Sequence, residues 1–144
     1  MKLSERIADR LGIDPLEIKY EVMYPDDSRL YIHRTPYISI STLYKDKYIE
    51  SAKCVAHEMR HVFQFFYARL FDDERAKRWL KQLSHQINSS NLDEGDYGSQ
   101  ELELDAFAFT KFFLETFEGI EVINNIPGYE KYVVEYIKKN KGIM

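Results

Sequence analysis

Residues 48–70 read YIESAKCVAHEMRHVFQFFYARL, and this stretch contains neither glycine nor proline. Apolar residues recur in it at steps of three and four, the spacing that places side chains on one face of an α-helix. The pattern predicts a helix whose apolar face packs on a core. That face consists of Val55, Met59, Val62, Phe63 and Phe66.

The centre of this helix carries a second pattern, His57-Glu58-Met59-Arg60-His61, which is an H-E-x-x-H motif. Residues four apart lie one helical turn apart on the same face. The two imidazoles are therefore predicted to lie side by side, at a spacing suited to one zinc ion. Glu58 is placed where its carboxylate can reach a metal-activated water without binding the metal. The alternative is that both histidines are polar residues on the solvated side of an amphipathic helix.

A catalytic zinc site takes three protein ligands, so the third must come from elsewhere in the chain. Residues 99–117, SQELELDAFAFTKFFLETF, are predicted to form a second, largely buried helix with Ser99 as its N-cap. Glu101 and Asp105 lie four apart and share one face of this helix. Because a buried carboxylate needs a cation or a hydrogen-bond donor, Glu101 is predicted as the third metal ligand. Asp105 is predicted to accept a hydrogen bond from a metal-binding histidine.

Glu103 lies two residues from both Glu101 and Asp105. Two residues correspond to about 200° around a helix, so Glu103 is predicted to face away from them, exposed or in a salt bridge. The alternative for the pair itself is that Glu101 and Asp105 are surface charges, since a spacing of four is common on solvated helix faces.

The H-E-x-x-H motif followed by Glu101-x-Glu103-x-Asp105 resembles the gluzincin branch of zinc metallopeptidases. The run 101–108, ELELDAFA, is most similar to the pattern of the ImmA/IrrE-type intracellular metallopeptidases. The resemblance spans residues 35–115. It implies a zincin-like fold in which a glutamate of the second helix is the third ligand and a residue four positions later supports the first histidine. Arg60 stands where these families often have glycine, and Leu104 stands where they often have alanine.

Strands followed by helices are typical of the α+β class. The chain of 144 residues is predicted to form a single zincin-like domain, residues 1–144, with a small N-terminal sheet, an active-site helix and a mostly helical C-terminal half. Residues 88–99 are rich in Asn, Ser, Asp and Gly and are predicted to be a loop. Strands are predicted near 18–24, 30–33 and 37–41, and further helices over 3–11, from 72–73 to 87, and over 129–139.

Composition excludes several classes of function. A net charge of −4 argues against a dedicated nucleic-acid binder, which would normally carry a basic face. The single cysteine, Cys54, rules out an internal disulfide and fits a reducing compartment, and its residue type favours a small buried hydrophobe. No apolar stretch has the pattern of a signal peptide or the length of a membrane span. A cytoplasmic protein without a membrane or nucleic-acid partner is therefore expected.

The expected function is that of a zinc-dependent peptidase acting on a peptide or protein substrate. Glu58 would act as the general base, taking a proton from a metal-activated water and passing it to the leaving amine. For the donor that stabilises the oxyanion, Tyr67, His85 and Tyr97 are candidates by residue type only. An edge strand is expected to bind the substrate as an added strand, and it consists of Tyr37, Ile38, Ser39, Ile40 and Ser41.

Two alternatives remain open. The first is a non-catalytic zinc-binding or protein-binding module that has a zincin-like fold. The second, which the ImmA/IrrE resemblance implies, is a regulatory component of a mobile element or stress response. Glu58 favours the peptidase, because a purely structural site has no need of a base beside the metal.

Overall fold

The helix with the H-E-x-x-H motif is the central element of the structure. The computed structural model describes residues 1–22, 29–30, 37–88, 92–124 and 126–144, with residues 29–30, 85–88 and 92–100 described by their backbone alone. Within these ranges the chain is a mixed α and β structure in which helices predominate. The helices are α1 (Leu3–Leu11), α2 (Tyr48–Leu70), α3 (Glu74–Asn88), α4 (Leu92–Phe117) and α5 (Glu130–Lys139).

The helix ends follow local sequence signals. α1 ends at Gly12, whose φ of 68° is left-handed and allows its N–H to bond the carbonyls of the last turn. Before α3, the carboxylate of Asp73 accepts a hydrogen bond from the N–H of Ala76 at 2.7 Å, which caps the helix. The predictions of helices over 3–11 and 48–70 are confirmed, and α3 and α5 lie within a few residues of their predicted positions.

The loop predicted over residues 88–99 is wrong over most of its length, because α4 already begins at Leu92. Ser99 is therefore inside α4 and is not its N-cap. The turn-forming composition of this stretch is overridden by helix cooperativity, since extending a helix that has already formed costs much less than starting one.

The strands are β1 (Glu17–Glu21), β2 (Arg29–Leu30) and β3 (Tyr37–Ser41), and they form a sheet in the order β1-β3-β2. β3 is parallel to β1 and antiparallel to β2. The predicted edge strand over residues 37–41 is therefore the central strand. It pairs along its whole length with β1 and, at Ser39 and Ile40, with β2. Ser39 and Ser41 are buried together with Ile38 and Ile40.

The core lies between the sheet, α1, α2 and α4. Ile38 and Ile40 of β3 and Ile7 of α1 are fully buried, as are Met59 of α2 and Phe109 of α4. Burial of such side chains stabilises the packing by about 1.5–3 kcal/mol each. Of the predicted apolar face, Val55, Met59 and Val62 are buried, whereas Phe63 is partly exposed and Phe66 is exposed. In the part of the chain that the structure describes, no helix combines the length and apolarity needed to cross a bilayer.

Candidate metal site

The two motif histidines project from adjacent turns of α2. Their ring centroids are 4.8 Å apart and the rings are nearly perpendicular. The Nε2 atoms of His57 and His61 approach to 3.1 Å, so both rings direct the same nitrogen to one point. His57 is buried and His61 is partly exposed, which leaves this point open on one side. The prediction that the imidazoles lie side by side is confirmed.

The third group at this point is Glu103 of α4. One of its carboxylate oxygens lies 3.2 Å from Nε2 of His57, and the other lies 2.8 Å from Nε2 of His61. One potential ligand atom from each of the three residues lies within 4.8 Å of the others. Among the residues that the structure describes, this is the group of histidine, cysteine and acidic side chains whose geometry can hold a metal ion.

The structure thus places Glu103, and not Glu101, beside the histidines. Glu103, Phe107 and Thr110 are spaced at i, i+4 and i+7 and share a face of α4. Phe107 lies against His57, with ring centroids 4.6 Å apart, so this face of α4 meets the motif. The prediction that Glu101 and Glu103 lie on different faces of the helix is correct. The prediction that the face with Glu101 meets the histidines is wrong.

Glu101 is bound on the opposite side of α4 by residues of α3. Arg78 donates to both of its carboxylate oxygens, at 2.7–3.0 Å. Trp79 Nε1 and Gln82 Nε2 donate to the same carboxylate at 3.2 and 2.8 Å. Burial alone would raise the pKa of Glu101, but the hydrogen bonds from Arg78 and Gln82 outweigh it and hold that pKa below its usual value. The carboxylate of Glu101 is therefore bound by side-chain hydrogen-bond donors, whereas the sequence had predicted that it binds a metal ion.

Asp105 is fully buried behind the histidines. Arg60 donates to both of its carboxylate oxygens, at 2.7 and 2.9 Å, and Tyr136 donates at 2.9 Å. Gln64 also donates to it, at 2.7 Å, and accepts at 2.8 Å on its other side from His61 Nδ1. Asp105 was predicted to bond a metal-binding histidine directly. In the structure it reaches His61 through Gln64.

The charges of the cluster reinforce each other. Burial disfavours the charged form of Glu103, but hydrogen bonds to His57 and His61 outweigh it and hold the pKa of Glu103 well below its usual range. Burial also disfavours the charged form of His61, which by itself would lower its pKa. The hydrogen bond and charge of Glu103, followed by the charge of Glu58, outweigh burial and raise the pKa of His61 above its ordinary value. The site is therefore a place where positive charge is stabilised.

The donor set fits a divalent metal ion. Two imidazole nitrogens and a carboxylate oxygen are the ligand types of catalytic zinc sites. With both rings neutral, the Nε2 atoms of His57 and His61, 3.1 Å apart, need a proton or a cation between them to avoid lone-pair repulsion. The three groups can hold such an ion, with Glu58 buried next to His57 in the same helix.

A cavity of about 310 Å³ opens beside His57. Its wall is mostly apolar where α2, α4 and α5 meet, and it includes Cys54, Phe107 and Val133. Cys54 is a buried cysteine in this wall, as its residue type predicted. The cavity is large enough for one side chain of a ligand.

A further residue near the site, Tyr129, was not singled out by any sequence pattern, and it is the N-cap residue of α5. Its ring packs edge-on against Phe107 with centroids 5.8 Å apart. Burial and the charge of Glu103 raise the pKa of Tyr129, so the phenol lies within electrostatic reach of the site. Tyr67, one of the donors proposed by residue type, instead bonds Asp73 and packs on Trp79. The side chains of His85 and Tyr97 lie outside the described residues.

Comparison of the chain with models of protein families, with curated proteins and with solved structures finds no match.

Proposed function

We propose that this protein is a zinc-dependent peptidase of the zincin type, with His57, His61 and Glu103 as the metal ligands. The observation that carries the proposal is the convergence of two Nε2 atoms and one carboxylate, from two different helices, on a single point. An H-E-x-x-H helix alone supplies only two of the three ligands that catalytic zinc requires. The cluster supplies the third.

A bound zinc ion would act as a Lewis acid, which acidifies water and polarises a carbonyl oxygen. The role of Glu58 is that of general base. It is next to His57 on α2 and buried, and its charge acts on His61. Its carboxylate takes the proton from the attacking water and passes it to the leaving amine, a role that typically contributes about 10²–10⁴-fold to the rate.

Two features beside the cluster support a peptide substrate. The cavity next to His57, whose wall is mostly apolar surface with charged side chains such as Lys53 and Glu130, can bury one side chain of a peptide. The ring of Tyr129 packs against Phe107, which itself lies against His57, so its phenol is the candidate hydrogen-bond donor to the developing oxyanion. Strand addition to β3 has no part in this proposal, because β3 is paired by β1 and β2.

The test compares wild type, Glu58→Gln and Tyr129→Phe for metal content and for cleavage of a peptide library read by mass spectrometry. We expect about one zinc per chain in all three proteins. Cleavage should be lost in Glu58→Gln, by about 10²–10⁴-fold, and reduced in Tyr129→Phe. Loss of zinc from Glu58→Gln would show that Glu58 is a ligand and that this mechanism is wrong. Zinc binding without cleavage in wild type would favour the non-catalytic binding module.

A further inference from the structure

We infer that Gln64 is a positioning residue that fixes the tautomer of His61. It holds the hydrogen of the neutral ring on Nδ1 and so leaves the lone pair of Nε2 free for a metal ion. The consequence for metal binding rests on the proposed function, whereas the tautomer itself is a property of the metal-free protein.

The orientation of the Gln64 amide is set by its surroundings. Its nitrogen donates to the carbonyl oxygen of Leu102 at 2.9 Å and to Asp105 at 2.7 Å. A carbonyl and a carboxylate can only accept, so the nitrogen must face them. The amide oxygen is thereby turned to Nδ1 of His61, at 2.8 Å. Gln64 is fully buried, so water does not replace these partners.

Arg60 is the reason that Asp105 is an acceptor. The guanidinium of Arg60 has donors only, and it donates to both oxygens of Asp105. A further N–H of Arg60 donates to the carbonyl of Ile143 at 2.8 Å, so the arginine is itself fixed in direction. Arg60 and Gln64 therefore donate, and Asp105 accepts from both.

Two acceptors compete for the single hydrogen of a neutral His61 ring. The amide oxygen of Gln64 faces Nδ1, and a carboxylate oxygen of Glu103 faces Nε2, both at 2.8 Å. Glu103 is 43% exposed and can bond water instead, whereas the Gln64 oxygen is enclosed. In the Nε2–H tautomer, the lone pair of His61 Nδ1 would face the buried amide oxygen of Gln64 with no hydrogen between them. Gln64 therefore decides the tautomer.

The test is two-bond ¹H–¹⁵N correlation spectroscopy of His61 in chelator-treated protein, at a pH where the ring is neutral. We expect the Nδ1–H tautomer in wild type and a shift towards Nε2–H in Gln64→Met, because Glu103 then offers the remaining acceptor. Zinc affinity, measured by chelator competition, should fall by about 10–100-fold in Gln64→Met. The matched control is Tyr136→Phe, which removes a different hydrogen bond to Asp105. It should leave the tautomer and the zinc affinity of wild type.

An Nε2–H tautomer in wild type would overturn the inference, and that measurement does not depend on any variant folding. An unchanged tautomer in folded Gln64→Met would overturn it too. A wild-type protein with the Nδ1–H tautomer that binds no zinc would support the positioning role of Gln64 and would refute the proposed function, so the two failures are distinct.

Discussion

Glu101 and Glu103 stand two residues apart on α4 and occupy opposite environments. Glu101 is bound by an arginine, a tryptophan and a glutamine, all from α3. Glu103 is bound by the two imidazoles of α2. The carboxylate with a guanidinium partner has its charge balanced within the protein. Among the described residues, the carboxylate of Glu103 meets two ring nitrogens and completes a set of groups suited to a cation.

This contrast shows why a motif alone misassigns a ligand. Both glutamates fit an E-x-E pattern, and both have depressed pKa values. They differ only in which neighbouring helix faces them. α3 presents Arg78 to Glu101, while α2 presents His57 and His61 to Glu103. The group that can hold a metal ion is therefore formed by α2 and α4 together. The face of α4 that meets α3 contributes to packing and to hydrogen bonds between the helices.

The largest expected difference between the two glutamates is in metal binding. Glu103→Gln removes the charged ligand and should weaken zinc binding by about 3–5 kcal/mol, roughly a third of the 10–16 kcal/mol with which zinc-finger peptides bind structural zinc. The matched variant Glu101→Gln, two residues away, should bind zinc like wild type. Chelator competition with both proteins measures the difference. The reverse result, with zinc lost only from Glu101→Gln, would restore the ligand set that the sequence predicted.

A smaller effect is expected on stability, from the buried pair behind the histidines. Asp105→Asn leaves the charge of Arg60 buried without a counter-charge and should lower the free energy of unfolding by about 3 kcal/mol. Urea unfolding of chelator-treated protein measures this change without a contribution from bound metal. Replacing both partners, as Arg60→Met with Asp105→Leu, should recover part of the loss. No recovery would show that the pair acts mainly through its bonds to Gln64 and Tyr136.

The smallest effect concerns the pH dependence on the α3 side. The folded pKa of Glu101 lies below its unfolded value, so its contribution to stability is present above the unfolded pKa. That contribution is lost as the pH falls through the folded pKa. Glu101→Gln should therefore lower the unfolding free energy at neutral pH by about 0.5–1 kcal/mol, because Arg78 is half exposed. The difference from wild type should shrink on acidification. A constant difference across the pH range would mean that packing, and not charge, is involved.

Sequence by itself determined the motif helix and the position of its histidines. A stretch without glycine or proline and with helical spacing fixes α2, and the i, i+4 spacing brings His57 and His61 together whatever surrounds them. It also placed Glu103 on a different face of the next helix from Glu101 and Asp105, since that depends only on helical geometry.

Tertiary structure alone decided which face of α4 meets the histidines. Periodicity gives the relative phase of residues on one helix, but the rotation of α4 against α2 depends on long-range packing and on the buried partners of Arg60 and Arg78. Pairing of β3 on both sides is likewise a contact between distant segments, which alternation within one strand does not specify. The ligand role of Glu103 and the support from Gln64 follow from those contacts, because each needs side chains from two helices at hydrogen-bond distance.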